Sequence, residues 1–369
     1  MNTDILQSWI GRHELRSDFA SATTLDGLAA TLDHPAKMRV AGDEVPPLWH
    51  WTYFLPVPRQ SELGMDGHPL KGGFLPPIKL SRRMWADSEI EFLRPLKVGS
   101  TIQRKSSIVN VSAKAGRSGT LVFVKLRHDI SGESGLALIE QQDLVYREAP
   151  VPGATAAAPA YAPVDADWRK SIQPTPALLF RYSALTFNTH CIHYDRPYAC
   201  DEEGYAGLVV HGPLIATLLL DLLHKELPGS KVKRFTFRAV RPLIDIESFN
   251  VAGARRSDGT VELWASDTRG VLATAASAEL AEEVRKGPRN TNDQTQASGQ
   301  LLRGFSPWPG DPPRNTAYRE RRRQCNLHVP DGFPIRQPLG RYRCSTARVS
   351  EASAGRYAGV QHRVREDGP

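Results

Sequence analysis

Cysteine is scarce: the 369 residues hold four, Cys191, Cys200, Cys325 and Cys344, with no Cys-x-x-Cys pair among them. That excludes a disulfide scaffold and suits a reducing compartment. Long apolar runs are also missing. No stretch approaches the roughly 18 uninterrupted apolar residues of a membrane helix, and the opening MNTDILQSWIGRHELRSDF carries acids where a leader has its apolar centre. A cytoplasmic protein is expected. With 40% hydrophobic and 24% charged residues the chain reads as a folded, soluble protein, and its length predicts two cores plus a tail.

One-sided charge is absent from most of the chain. The net charge is +7, but residues 286–369 carry 15 Lys/Arg against seven Asp/Glu, which leaves −1 for residues 1–285. The body is nearly neutral, so no nucleic-acid partner is expected. Residues 286–369 concentrate Pro, Gly, Arg, Ser and Asn without apolar periodicity and are read as a disordered, solvated extension. A basic arm for nucleic acid or an acidic partner is the alternative reading.

What is present is a repeat. A Pro/Ala-rich linker, 151–168, separates two halves, each of which ends in β-branched segments punctuated by glycine. Arg94-Pro95-Leu96 recurs as Arg241-Pro242-Leu243, and Gly119-Thr120-Leu121 recurs as Gly259-Thr260-Val261. Two copies of one antiparallel fold are predicted, in residues 1–150 and 169–285. A single long apolar helix stands out, from Pro213 to Leu227, hydrophobic on most faces and therefore enclosed. A buried helix followed by four antiparallel strands is the plan of a hotdog. The expected fold is thus an α+β double hotdog, two antiparallel sheets with the second wrapped round the central helix. In the first half the helix position is interrupted by Pro56, Pro58, Pro69, Pro76 and Pro77, each of which stops or kinks a helix. That copy reads as degenerate.

Just before the helix, Asn188, His190, His193 and Asp195 fall within eight residues, followed by Val210-His211-Gly212-Pro213-Leu214. Zinc held by His190, Cys191 and His193 is one reading, disfavoured because the spacing matches no standard site and no second cluster closes the shell. A capped turn with structural histidines is another. The third is catalysis: the loop runs into Gly212 at the start of a buried helix, where unpaired N–H groups can hold a developing oxyanion.

The segment resembles the hydratase motif of MaoC-like (R)-specific enoyl-CoA hydratases, Asp-x-Asn-Pro-x-His-x-Asp followed by His-Gly opening the central hotdog helix. His193-Tyr194-Asp195 lies on the family's His-x-Asp, Asn188 on its catalytic Asp, and His190 on its Asn. Trp49-His50-Trp51, Gly72-Gly73-Phe74-Leu75-Pro76-Pro77, Arg82-Arg83-Met84-Trp85 and Arg181-Tyr182-Ser183-Ala184-Leu185-Thr186-Phe187-Asn188 are similar to hydroxyacyl-thioester dehydratases of the branch that includes mesaconyl-C4-CoA (3-methylfumaryl-CoA) and itaconyl-CoA hydratases. That branch carries an N-terminal dehydratase-like domain, and the resemblance places residues 1–150 on it. The resemblance spans about residues 5 to 281.

The resemblance implies addition of water across the double bond of an α,β-unsaturated acyl-CoA thioester, with no metal or redox cofactor. His193 becomes the base, Asn188 orients the water, His190 or Asp195 tunes the imidazole, or a carboxylate joins from elsewhere, and the Gly212 amide holds the enolate oxygen. Arg181, nearest the loop, is the candidate for a free substrate carboxylate, with Tyr194 and His211 as further binding candidates; His211 is equally readable as a helix cap. One active site per chain and a homodimer are expected. A 3-hydroxyacyl-ACP dehydratase, a hotdog thioesterase and a non-enzymatic acyl-thioester or nucleic-acid binder are the alternatives.

Overall fold

The computed structural model describes residues 3–116, 119–149 and 158–281; the expected tail at 286–369 lies outside them. In chain order the elements are α1 (Thr3–Gln7), β1 (His13–Phe19), α2 (Ala22–Thr31), β2 (Arg82–Phe92), β3 (Thr101–Gly116), β4 (Gly119–Gly132) and β5 (Gly135–Arg147). There follow β6 (Trp168–Ile172), α3 (Pro176–Thr186), α4 (Gly212–Glu226), β7 (Val232–Ala239), β8 (Phe249–Arg255), β9 (Thr260–Asp267) and β10 (Leu272–Leu280). No helix among the described residues is long and apolar enough to cross a membrane.

The strands form one antiparallel sheet in the order β1-β3-β4-β5-β2-β7-β10-β9-β8-β6. The two expected sheets are therefore the halves of a continuous one, each half repeating the same order outward from the centre. The join is β2 against β7, with Ser88 opposite Phe237 and Ile90 opposite Phe235. Each of these strands would otherwise expose a row of unpaired N–H and C=O groups, and pairing edge to edge satisfies both.

The sequence repeats occupy equivalent places. The Arg94 N–H donates to the Ala137 carbonyl at 2.9 Å and the Arg241 N–H to that of Ala273 at 3.2 Å. The Leu96 and Leu243 carbonyls accept the Val45 and Val210 N–H groups, each at 2.9 Å. After Val210 the second half starts α4, whose nine buried residues, from Leu214 to Leu223, pack on β6, β8, β9 and β10. After Val45 the first half meets Pro46 and Pro47 and forms only a short 3-10 turn, Trp49–Thr52. The missing helix leaves room, and that room is the site.

Candidate active site

A cavity of about 720 Å³ runs between the two halves. Its first-half wall includes His50, Trp51, His68, Arg83, Trp85 and Glu140, and its second-half wall includes Tyr182, Asn188, His190, His193, Gly212 and Pro213.

The candidate residues of the 188–193 loop are fixed by backbone geometry. α3 ends at Phe187, which takes the left-handed conformation (φ 49°) and turns the chain out. The Asn188 Oδ1 then accepts the His190 N–H at 3.0 Å, a local turn of the kind short amide side chains favour. A 3-10 turn, Cys191–His193, aims the next imidazole inward. Val209 binds that turn twice: its N–H donates to the Ile192 carbonyl at 2.9 Å, and its carbonyl accepts from His193 Nδ1 at 2.7 Å. A carbonyl can only accept, so Nδ1 carries the proton and Nε2 keeps its lone pair.

Burial lowers the His193 pKa to about 4; the Val209 bond opposes the shift and the His68 charge adds to it. His190 falls to about 2, through burial and then the His68 and His193 charges. Both rings are neutral at physiological pH. His211, also held neutral by burial, stacks on His193 and bonds the Ser183 Oγ at 2.8 Å through Nε2. Gly212 opens α4, so its N–H belongs to the first-turn donors that a helix leaves unpaired. A Cβ there would meet nothing within 4 Å, which leaves this backbone open to the cavity.

The structure gathers Asn188, His190, His193, His211 and Gly212, and does not bring Arg181 or Tyr194 to them. Arg181 is exposed on α3 and absent from the cavity wall. Tyr194 is 47% exposed, its hydroxyl donating to the Thr189 carbonyl at 3.1 Å. Asp195 caps a following π turn through the Tyr198 N–H at 3.1 Å; the group that orients His193 is the Val209 carbonyl.

Asp66 and His68, from the irregular first-half segment, were not foreseen. The Asp66 Oδ2 and His68 Nδ1 are 3.0 Å apart, and the His68 and His190 rings are 4.0 Å apart between centroids. Burial pushes the Asp66 carboxyl up, but the His68 bonds and charge outweigh it and hold it far below its usual range. The segment is docked by the Cys191 N–H on the Asp66 carbonyl at 2.9 Å and the Thr189 hydroxyl on the Gly67 carbonyl at 2.5 Å. Asp66, His68 and His190 place donor atoms within 4.8 Å of one another and could hold a metal; the disfavoured set of His190, Cys191 and His193 is not among the groups of described residues that gather so. The contacts are those of a carboxylate–imidazole pair lying against a third ring, inclined by 37°. Glu140 was missed as well. It is 3% exposed and accepts from Trp51 Nε1 and Ser88 Oγ, both at 3.1 Å. An acid at an inward position of an apolar strand, ALIEQQDLVY, is the signal that could have found it.

A double-hotdog sheet with a histidine-lined cavity at the start of its buried helix defines a dehydratase of the hotdog class. The model of the family "hydroxyacyl-thioester dehydratase type 2" matches residues 48–245, and the chain belongs to that family and is a hydro-lyase. It is 46% identical over 275 residues to the mesaconyl-C(4)-CoA hydratase of Chloroflexus aurantiacus, covering 74% of this chain and 97% of the relative. It is 29% identical over 260 residues to the mitochondrial hydroxyacyl-thioester dehydratase type 2 of Schizosaccharomyces pombe, covering 61% of this chain and 84% of that one. Among solved structures, a MaoC-like dehydratase aligns with a TM-score of 0.55 at 14% identity, covering 75% of this chain and 100% of that one. The MaoC-like dehydratase of Phytophthora capsici aligns at 0.52 and 16%, covering 77% and 100%. These two share the fold.

Proposed function

We propose that the protein hydrates mesaconyl-C4-CoA (3-methylfumaryl-CoA), with His193 as the base. The observation that carries this is the bond from His193 Nδ1 to the Val209 carbonyl, which leaves Nε2 unprotonated in a cavity that Gly212 also lines. The substrate choice is supported by the relative from Chloroflexus aurantiacus; itaconyl-CoA is the second candidate.

In this reading Nε2 takes a proton from water as the oxygen bonds to Cβ. The Cα=Cβ electron pair moves onto the thioester, and the Gly212 N–H stabilises the enolate oxygen. The imidazolium then returns its proton to Cα, which restores neutral His193 and completes addition of one water. Asn188 has no acid–base capacity and orients the water. The carboxylate that this position lacks is supplied across the halves by Asp66, acting through His68 on the imidazole row. We read residues 1–150 as the degenerate hotdog, 169–285 as the catalytic one, 151–168 as their linker and 286–369 as an appended tail. The scarcity of cysteine supports a cytoplasmic location.

The test is loss of the conjugated absorbance of mesaconyl-C4-CoA in the full chain and in His193→Ala. The substitution should lower hydration by about a hundredfold or more, the usual worth of a positioned general base, while a saturated acyl-CoA still binds. Release of free CoA thiol without hydrated thioester would instead make the protein a thioesterase.

A further inference from the structure

Most arginines at the cavity are held by acids: Arg16 by Glu14 at 3.1 Å and Arg241 by Asp267 at 2.6 Å. Arg82, next to the cavity wall, is held by Glu203 at 2.8 Å. Arg83 and Arg147 line the cavity with no carboxylate within ion-pair distance among the described residues, and Arg147 turns its Nε to the Glu148 carbonyl at 3.4 Å. Lys71, also in the wall, spends one donor on the Leu80 carbonyl at 2.5 Å and has no acid of its own either. Beside Arg83 lies the Tyr146 hydroxyl, fully buried and without a completed hydrogen bond. A buried hydroxyl without a partner is costly unless something fills the gap, and the half-buried Arg83 and the exposed Lys71 stand at that gap with no acid to answer them.

The place of these cations matters. The Arg83 charge reaches both His68 and His190, and that of Lys71 reaches His68. In a 3-methylfumaryl thioester the free carboxylate is carried by Cβ, the carbon that receives the hydroxyl. Its partner must therefore line the same cavity as His193, and of the two unpaired arginines there Arg83 is the one whose charge acts on His68 and His190.

We infer that Arg83, backed by Lys71 and the Tyr146 hydroxyl, is a carboxylate subsite that selects acyl thioesters bearing an acid on Cβ. The inference rests on the hydratase reading above and names which part of the substrate the first half recognises. A planar guanidinium can hold a carboxylate through two parallel N–H bonds. Pairing also screens the carboxylate's repulsion of the incoming water oxygen, so the subsite acts on the reacting carbon as well as on binding. Arg181, exposed on α3, is replaced in this role.

The experiment compares the full chain with Arg83→Met and Arg83→Lys on three substrates: mesaconyl-C4-CoA, its methyl ester and crotonyl-CoA. Binding of methylsuccinyl-CoA, with its acid on Cβ, and of butyryl-CoA is measured by calorimetry alongside. The unsubstituted protein should prefer the acid to its ester. In Arg83→Met the ratio of kcat/KM for mesaconyl-C4-CoA over crotonyl-CoA should fall about a hundredfold, the scale expected when a charged hydrogen-bonding partner is lost, with Arg83→Lys between. The binding preference for methylsuccinyl-CoA should vanish in the same variant. An unchanged ratio, or an equal loss of butyryl-CoA and methylsuccinyl-CoA binding as a CoA-phosphate contact would give, overturns the subsite. Should the protein hydrate none of the three yet keep an Arg83-dependent preference for methylsuccinyl-CoA, the hydratase reading falls and the subsite stands.

Discussion

His193 and His211 lie ring on ring, with centroids 3.7 Å apart and planes inclined by 19°. Neither has an acid to balance a positive charge: His193 Nδ1 is bonded to a carbonyl and His211 Nε2 to a hydroxyl. His190 meets His193 edge-on at 5.5 Å, and His68 meets His190 at 4.0 Å. Four imidazoles thus form a row whose only bonded carboxylate among the described residues, Asp66, is at the far end.

This arrangement predicts an unusual pH profile. The proposed base, His193, works when neutral, so activity should be lost as pH falls through its pKa of about 4, not through the ordinary histidine value near 6.5. The kcat/KM for hydration, which reports the free enzyme, should stay flat from about pH 5.5 to 8. An acidic limb near 6.5, with circular dichroism showing an intact fold, would contradict the neutral-base assignment.

Asn188→Asp tests the row from its other side. The Asn188 Oδ1 accepts the His190 N–H at 3.0 Å, and a carboxylate oxygen can do the same, so the turn survives. The new anion stabilises imidazolium nearby and raises histidine pKa values. The acidic limb should move up by about one pH unit or more, with lower activity at pH 7. Asn188→Ala, which removes the turn bond and the water ligand, should also cost activity but leave the limb in place. A shift of the limb in both variants would show that the turn, and not the charge, sets the His193 pKa.

Much of this was legible because periodicity and punctuation report local structure. The repeated Arg-Pro-Leu and Gly-Thr segments fall at equivalent turns, and the apolar run 213–227 is the enclosed helix α4. The crowding of Asn188, His190 and His193 before Gly212 marked the loop that lines the cavity. What was not legible depends on long-range docking. Asp66 and His68 lie more than a hundred residues from His190, in a proline-rich stretch without period, and bonds from the Thr189 hydroxyl and from the N–H and Sγ of Cys191 to the carbonyls of 65–67 bring them in. Arg83 and Arg181 could not be ranked from sequence because nearness to the loop along the chain is not nearness to the cavity.

That docking depends on Gly67. Its φ is +79°, and a Cβ there would lie 1.8 Å from the Thr189 carbonyl oxygen, so a side chain is both strained and blocked. Gly67→Ala should push the 64–69 segment off the catalytic loop and lower hydration by about tenfold or more, while the sheet keeps its far-UV circular dichroism. Full activity in this variant would show that Asp66 and His68 contribute nothing to turnover.

The last prediction concerns stability. Asp87 on β2 stands directly opposite Asp143 on β5, and like charges in that relation repel. Burial, the hydrogen bond shared with Asp143 and the Asp143 charge raise the Asp87 pKa to about 6, outweighing the attraction of Lys125 and Arg238. Lys125 lies 2.8 Å from Asp143 and so faces that member of the pair. A carboxyl whose folded pKa exceeds its unfolded value holds its proton more tightly when folded. Its contribution is therefore most favourable below the unfolded pKa near 4 and is lost as pH rises through about 6. Asp87→Asn replaces the repulsion with a neutral donor. Thermal unfolding should show Tm raised by about 3 °C at pH 7.5, with the gain shrinking or reversing at pH 5, where the native Asp87 is largely protonated. A Tm difference that does not change between the two pH values would show that the pair is already relaxed by Lys125 and Arg238.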